Sequence, residues 1–214
     1  VERCLSIHRR VNMGRRALLV SPDGKQEYSV EVTASPIKGP GNSISGTVVV
    51  IHDVSEIRGL TRQISYQAAH DALTGLINRR EFERRLDEAM DATHAEEVVH
   101  ILAYMDLDRF KTVNDSCGHI AGDNMLREVA SLIKDQVRDS DYVGRLGGDE
   151  FGTLLMGCPI DKAQQIAGDI CNAIANYRFV WQDKIFNIGI SVGLVEVSHT
   201  SGSPQDIMAA ADSA

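Results

Sequence analysis

The stretch GRLGGDEFGTLL, residues 144–155, reads as two short β-strands interrupted by paired glycines and paired acids. Gly147 and Gly148 permit a tight turn, so the pattern predicts a hairpin with Asp149 and Glu150 side by side at its tip. Most such tips are merely solvated. This one becomes chemical only if other oxygen ligands meet it. The run VVHILAYMD, residues 98–106, supplies a candidate: it is apolar almost throughout, as a fully buried strand is, and it ends on an acid. Sites in sheet-based α/β folds open at the C-terminal ends of such strands. In MDLDRFK, residues 105–111, Asp106 and Asp108 are two apart and face the same way on continuing strand geometry. An acidic strand end has an ordinary explanation in solvation and helix capping. It also suits a hard cation such as Mg2+, which takes oxygen ligands and usually arrives with phosphates. Spacing leaves both open.

The segment VNDSCGHIAGDN, residues 113–124, gathers amide, imidazole and carboxylate groups just before the strongest helical pattern in the chain. That pattern, residues 122–138, puts Met125, Leu126, Val129, Leu132, Ile133 and Val137 on one face. The preceding segment therefore reads as loop, with Asp123 capping the helix. Its polar groups can also read the edge of a base. Asn78 and Glu81 resemble a capping box opening a helix through Phe82, Leu86 and Met90. A helix is predicted from about residue 162 to 177, then strand, turn and strand over 179–197. Ser203 and Pro204 supply the N-cap and first residue of a last helix. The expectation beyond Asp71 is an α/β (α+β) domain, a central sheet flanked by helices.

Residues 15–53 have a different texture, short β-rich runs separated by turns. Tyr28, Val30, Val32 and Ala34 alternate with other side chains as in a half-buried strand, and Val48 to Ile51 read as a more buried one. About three strands are too few for a complete domain, so these residues read as the end of one. Between them and the larger domain, residues 54–70 carry Ile57, Leu60, Ile64 and Ala68 at helical spacing. That stripe suits either a linker helix packed on its own chain or a short two-chain coil.

The bulk numbers exclude several classes. With 43% hydrophobic residues and a mean hydropathy of −0.15, the 214-residue chain can bury a core, and no run approaches a membrane span. The N-terminus lacks the apolar stretch of a signal peptide, and the four cysteines show no metal-binding spacing. Reduced thiols and a cytoplasmic location are expected, with membrane anchoring upstream left open. A net charge of −8 argues against a nucleic acid polymer as partner. It does not argue against a nucleotide held through a metal.

Three stretches, DALTGLINRR (71–80), MDLDRFKTVNDSCGHIAGD (105–123) and GRLGGDEF (144–151), resemble the signatures of the GGDEF family of diguanylate cyclases, in order and at family-like separations. The resemblance covers residues 71–214. It implies a mostly antiparallel central sheet similar to the nucleotide cyclase and polymerase palm fold. It also implies condensation of two GTP into cyclic di-GMP across a homodimer, with loss of two pyrophosphates. By the same resemblance Mg2+ (or Mn2+) is held by Asp106, the Leu107 carbonyl, Asp149 and Glu150. Asp149 is further a candidate for accepting the 3′-hydroxyl proton, and Lys111 stabilises phosphate charge. Asn114 and Asp123 read guanine, with Phe110, His119, Gly147 and Gly148 in the substrate site. The family pattern pairs Asp106 with the distant hairpin rather than with Asp108, which leaves Asp108 a structural role.

RDSD, residues 138–141, stands at the spacing of the family's inhibitory product site, which implies that Arg138 and Asp141 bind cyclic di-GMP. As plain sequence it is a basic helix C-terminus followed by a polar turn. Residues 22–37 and 46–56 resemble the closing strands of a PAS sensory domain. The expected organisation is therefore a partial PAS-like region (1–53), a signalling helix (54–70) and a GGDEF domain (71–214) truncated at its C-terminus. The wording around residues 65–82 and 117–123 is similar to GGDEF domains fused upstream of EAL phosphodiesterases. That opens an alternative, a silent GTP- or cyclic-di-GMP-binding module controlling a downstream EAL domain.

Overall fold

The computed structural model describes residues 1–12, 17–93, 98–198 and 201–213. They form two units, residues 1–66 and 67–214. In the first, a short helix α1 (Glu2–Ile7) precedes strands β1 (Val11–Asn12), β2 (Ala17–Val20), β3 (Glu27–Lys38) and β4 (Ile44–Asp53). β3 is central and pairs antiparallel with each of the other three. The predicted strands are present; positions 15 and 16 of that stretch lie outside the described residues. Val30 and Ala34 are buried as their alternation predicts, at 3% and 4% exposure. Val48 to Ile51 depart from expectation, being 41–53% exposed. β4 is an edge strand, paired among the described residues with β3 alone, and its Val48–Ile51 stretch stays open.

Helix α2 (Ser55–Ala69) starts where Ser55 receives two ties. Its Oγ accepts the Ser29 backbone N–H at 2.8 Å, and its own N–H donates to Asp53 Oδ1 at 2.9 Å. No α2 residue is buried, and the stripe stands open: Ile57, Leu60 and Ile64 are 65%, 51% and 64% exposed.

In the second unit the elements are β5 (Ile77–Asn78), α3 (Arg79–Thr93), β6 (His100–Asp108), α4 (Phe110–Cys117), α5 (His119–Lys134), β7 (Tyr142–Gly147), β8 (Glu150–Leu155), α6 (Ile160–Asn176), β9 (Arg178–Trp181), β10 (Lys184–Asn187), β11 (Gly189–Val197) and α7 (Pro204–Asp212). The five-stranded sheet runs β11-β6-β8-β7-β5, antiparallel except for the β5–β7 pair. Side chains alternate along β6. Ile101, Met105 and Leu107 join the core built with α5 and α6, and Leu102 and Tyr104 join the core built with α3 and α7. By the same alternation Asp106 belongs to the α3/α7 face. No helix among the described residues is long and apolar enough to cross a membrane.

Several boundaries differ from the sequence reading. The segment 113–124 is helical, not loop: α4 and α5 meet at Gly118, whose φ of 82° lets two helices turn without a linker. Asp123 is thus inside α5 rather than its cap. α5 ends at Lys134, four residues before Arg138. β6 runs on to Asp108, and residues 179–197 hold the β9–β10 hairpin plus a third strand in the main sheet. The Asn78 cap is present, its Oδ1 accepting the Glu81 N–H at 3.0 Å, while the Glu81 carboxylate turns to Arg84 and Arg85.

Gly144 and Gly152 are cross-strand partners, and the fully buried Phe82 ring lies over both. A Cβ on Gly144 would stand 2.8 Å from that ring and 3.1 Å from the Ile77 carbonyl oxygen. Gly144→Ala is therefore expected to destabilise the domain by about 1–3 kcal/mol, as overpacking does. Urea unfolding monitored by circular dichroism reads this directly; an unchanged midpoint would contradict the packing.

Candidate active site at the hairpin tip

The β7–β8 hairpin closes through Gly148 and Asp149, with Gly147 paired to Glu150 across a bulge at residues 145–147. Neither glycine uses left-handed backbone. Their value is space. A Cβ on Gly147 would come within 2.9 Å of Glu150 Oε2, and one on Gly148 would meet nothing within 4 Å. Gly147 makes room for the glutamate, and Gly148 leaves the tip open.

The β6–β8 register brings strand end and hairpin together. Asp106 is directly opposite Glu150, and beyond that pair the Leu107 N–H donates to the Asp149 carbonyl at 3.3 Å. A strand residue's N–H and C=O point to the same edge, so the Leu107 carbonyl also faces the hairpin tip. Partial desolvation, then the charges of Asp149, Glu150, Asp108 and Asp212, push the carboxyl of the solvent-accessible Asp106 above its usual range. Burial, and after it a hydrogen bond to Glu150, likewise raise the Tyr104 hydroxyl. Asp108 accepts from Ser191 Oγ at 3.0 Å, a structural tie to β11.

This donor set fits Mg2+ or Mn2+. It is all oxygen, and the uncompensated charge around Asp106 is the condition a divalent cation relieves. Among the described residues no three His, Cys, Asp or Glu side chains form a complete metal-holding group. Mg2+ is commonly bound by one or two carboxylates plus substrate phosphates, so such a group is not required.

A second cluster forms where α4 meets α5. The Asn114 amide lies against Gly122, where a Cβ would stand 2.1 Å from Oδ1 and 3.2 Å from the Phe110 ring. Asn114 Oδ1 is buried without a hydrogen-bond partner, which costs about 1–3 kcal/mol unless a ligand donates to it. Asp123 follows Gly122, and His119 precedes Asp123 by one turn on the same face. Lys111 is exposed and one turn before Asn114. Arg138 and Asp141 lie apart from both clusters. They close a turn in which Asp141 Oδ2 accepts the Arg138 N–H at 3.1 Å and Oδ1 accepts the Met156 N–H at 3.0 Å. The turn borders a cleft of about 660 Å³ that also takes in His70, Leu76, Lys134 and Tyr142.

Two residues that the sequence reading passed over hold the hairpin in place. Arg145 donates from Nη2 and Nε to the Gly148 carbonyl at 2.7 and 3.1 Å, and from Nη1 to Asp71 at 3.2 and 3.3 Å. Asp71 in turn accepts the Thr74 N–H at 2.9 Å and hydroxyl at 2.7 Å. Burial opposes its ionisation, yet the Thr74 bonds and the Arg145 charge hold its carboxyl below the usual range. Both lie inside quoted motifs, but 74 residues separate them, and no local pattern signals the pair.

Arg145→Ala leaves Asp71 half-buried without its cation and frees the Gly148 carbonyl. The expected loss is about 1–3 kcal/mol of stability. Amide hydrogen exchange of residues 147–149 should rise by more than the global loss explains. Equal protection of the tip in variant and parent would remove the bracing role.

The chain matches the family described as "Diguanylate cyclase, GGDEF domain" over residues 68–214. It is 43% identical over 185 residues to the probable diguanylate cyclase DgcE of Escherichia coli, covering 86% of this chain and 17% of that protein. It is 33% identical to the cyclic di-GMP phosphodiesterase PdeB of Shewanella oneidensis, covering 77% of this chain and 19% of that protein. The chain thus spans less than a fifth of either relative. The crystal structure of the coiled coil and GGDEF domain of DgcB from Caulobacter crescentus, in complex with c-di-GMP, superposes with a TM-score of 0.71 at 27% identity, covering 75% of this chain and 85% of that one. With the hairpin acids, the strand-end Asp106 and the Asn114 cluster in one domain, the chain belongs to the GGDEF family of diguanylate cyclase domains.

Proposed function

We propose that the domain condenses two GTP molecules into cyclic di-GMP and two pyrophosphates. The observation that carries the reading is the meeting of Asp106 with Asp149 and Glu150 in a single open, acid-lined site. Asn114 and Asp123 bind the guanine edge; the unpartnered Asn114 Oδ1 accepts from a ring or amino N–H of the base. Phe110, His119, Gly147 and Gly148 border the nucleotide, and Lys111 stabilises phosphate charge. Asp106, the Leu107 carbonyl, Asp149 and Glu150 would supply oxygens to Mg2+ or Mn2+, with the substrate phosphates completing the coordination. When bound, the ion neutralises the triphosphate and lowers the pKa of the attacking hydroxyl. Asp149 accepts the hydroxyl proton. The fold supplies alignment of the 3′-oxygen with the α-phosphorus, the main protein contribution in phosphoryl transfer.

One domain binds half of the reactants, so the reading requires two copies facing each other. The exposed α2 stripe suits a two-chain coil that sets their approach. Residues 1–53 act as the closing part of a PAS-like sensory domain, α2 as its signalling helix and residues 71–214 as the cyclase domain. Arg138 and Asp141 form the inhibitory product site. The PdeB relationship favours a second reading, a silent GTP- or cyclic-di-GMP-binding module that controls a fused EAL domain in the cytoplasm.

Incubation with GTP and Mg2+, with product identified by mass, separates the two. Asp149→Ala is expected to abolish cyclic di-GMP, and undiminished synthesis in that variant would sink the metal role given to the hairpin. Arg138→Ala should preserve the initial rate and weaken inhibition by added cyclic di-GMP at least about tenfold, the effect of one lost charged contact. Unaltered inhibition would remove Arg138 from the product site.

A further inference from the structure

Two small clefts flank the hairpin acids, and a single lining residue, Arg79, is common to both. One, of about 340 Å³, runs along Gly147 and Gly148; the other, of about 220 Å³, is bordered by Tyr104 and Asp212. Arg79 is the first residue of α3, immediately after the Asn78 cap. Its Nε donates to Glu83 Oε1 at 2.9 Å, one turn along the helix, which fixes the direction of the guanidinium. The two terminal nitrogens make no hydrogen bond to a described residue. The side chain is 56% exposed but borders both clefts, where it lies in the field of Tyr104 and Glu150.

The surroundings make that cation conspicuous. The charges that bear most on Asp106 are those of Asp149, Glu150, Asp108 and Asp212. Arg145, the other arginine at the Gly147–Gly148 cleft, is committed to Asp71 and to the Gly148 carbonyl. The cleft is lined by Asp71, Asn78, Arg145 and Leu146 besides the two glycines and Arg79. Arg145 offsets the Asp71 charge, so a polyphosphate entering beside Gly147 and Gly148 meets one guanidinium with free terminal donors. A planar fork of this kind matches two phosphate oxygens, as an ammonium does not.

We propose that Arg79 is a phosphate ligand of the active site, gripping the terminal phosphates of the nucleotide in the cleft along Gly147 and Gly148. The proposal deepens the cyclase reading and rests on it. In the transfer step the 3′-oxygen bonds to the α-phosphorus, and the bond from that phosphorus to the β-bridging oxygen breaks. Its electron pair leaves on pyrophosphate, and the hydroxyl proton passes to Asp149. Arg79 stays on the departing pyrophosphate and stabilises the charge it gains.

The test is calorimetric titration of inorganic pyrophosphate with Mg2+ into the parent protein, Arg79→Ala, Arg79→Lys and Glu83→Gln, alongside GTP turnover. Arg79→Ala should weaken pyrophosphate binding and lower kcat at saturating GTP, each by about tenfold to a hundredfold. Arg79→Lys should recover binding more than kcat, because it restores charge without the fork. Glu83→Gln, which loosens the guanidinium but keeps it, should fall between. Pyrophosphate affinity unchanged in a folded Arg79→Ala, with the parent active, overturns the proposal and leaves the cyclase reading intact. Binding that depends on Arg79 in a parent without turnover keeps the phosphate ligand and removes the cyclase reading. Should Arg79→Ala fail to fold, the lysine variant decides: parental values for both binding and kcat would refute the forked contact.

Discussion

Asp106 and Glu150 stand directly opposite each other where the β6–β8 ladder ends. Like charges in that relation oppose sheet pairing, by up to about 1 kcal/mol for each pair. The cost is unavoidable, because the same register that seats Met105 beside Phe151 in the core places the acids together one step further on. Slipping the strands by one residue would turn the core side chains to the other face. Packing therefore enforces the repulsion. Much of the nearby sequence serves to contain it: Gly147 leaves space for the Glu150 carboxylate, Tyr104 bonds to it, and Arg79 contributes the nearby positive charge.

A hairpin tip that carries such charge is inclined to open, and the restraint comes from Arg145. It holds the Gly148 carbonyl and Asp71 at once, and Asp71 is anchored within the tight turn that ends at Leu76. Side chains at 17% and 24% exposure screen this pair from water better than a typical surface ion pair. The turn follows α2 by one residue, His70. The hydrogen bonds of Arg145 thus link that turn to Gly148, with Asp149 next in the chain.

Periodicity made the regular elements legible. The alternating strands, the faces of α3, α5 and α6 and the Ser203 cap all follow from local patterns that tertiary contacts reinforce. Composition misled at residues 113–124, where Asn, Asp, Gly and His suggested loop. A single left-handed glycine suffices there to join two helices, and the polar residues are exposed or half-buried on the helix surfaces. Val48 to Ile51 misled in the other direction, since an apolar run reports what a strand can bury and not what covers it. At the site, the acids of the GGDEF stretch were legible because they are neighbours in sequence. Asp71 with Arg145, and Tyr104 with Glu150, were not, because each pair meets across distant segments. Arg79 was not, because the clefts it borders are assembled from several elements.

Exposure at the site carries one further consequence for the proposed reaction. Asp106 and Gly148 are exposed, and the space above Gly148 is open. An attacking hydroxyl in such a site competes with water at roughly bulk concentration, and every charge interaction there is screened. Condensation rather than hydrolysis then needs a cover that brings the second nucleotide with it. On the proposed reading, a facing copy of the same domain would do both at once. Under that proposal the acids, the open glycine and the exposed stripe of α2 fit one design, a half-site completed by a second copy that pairs along the apolar helix face.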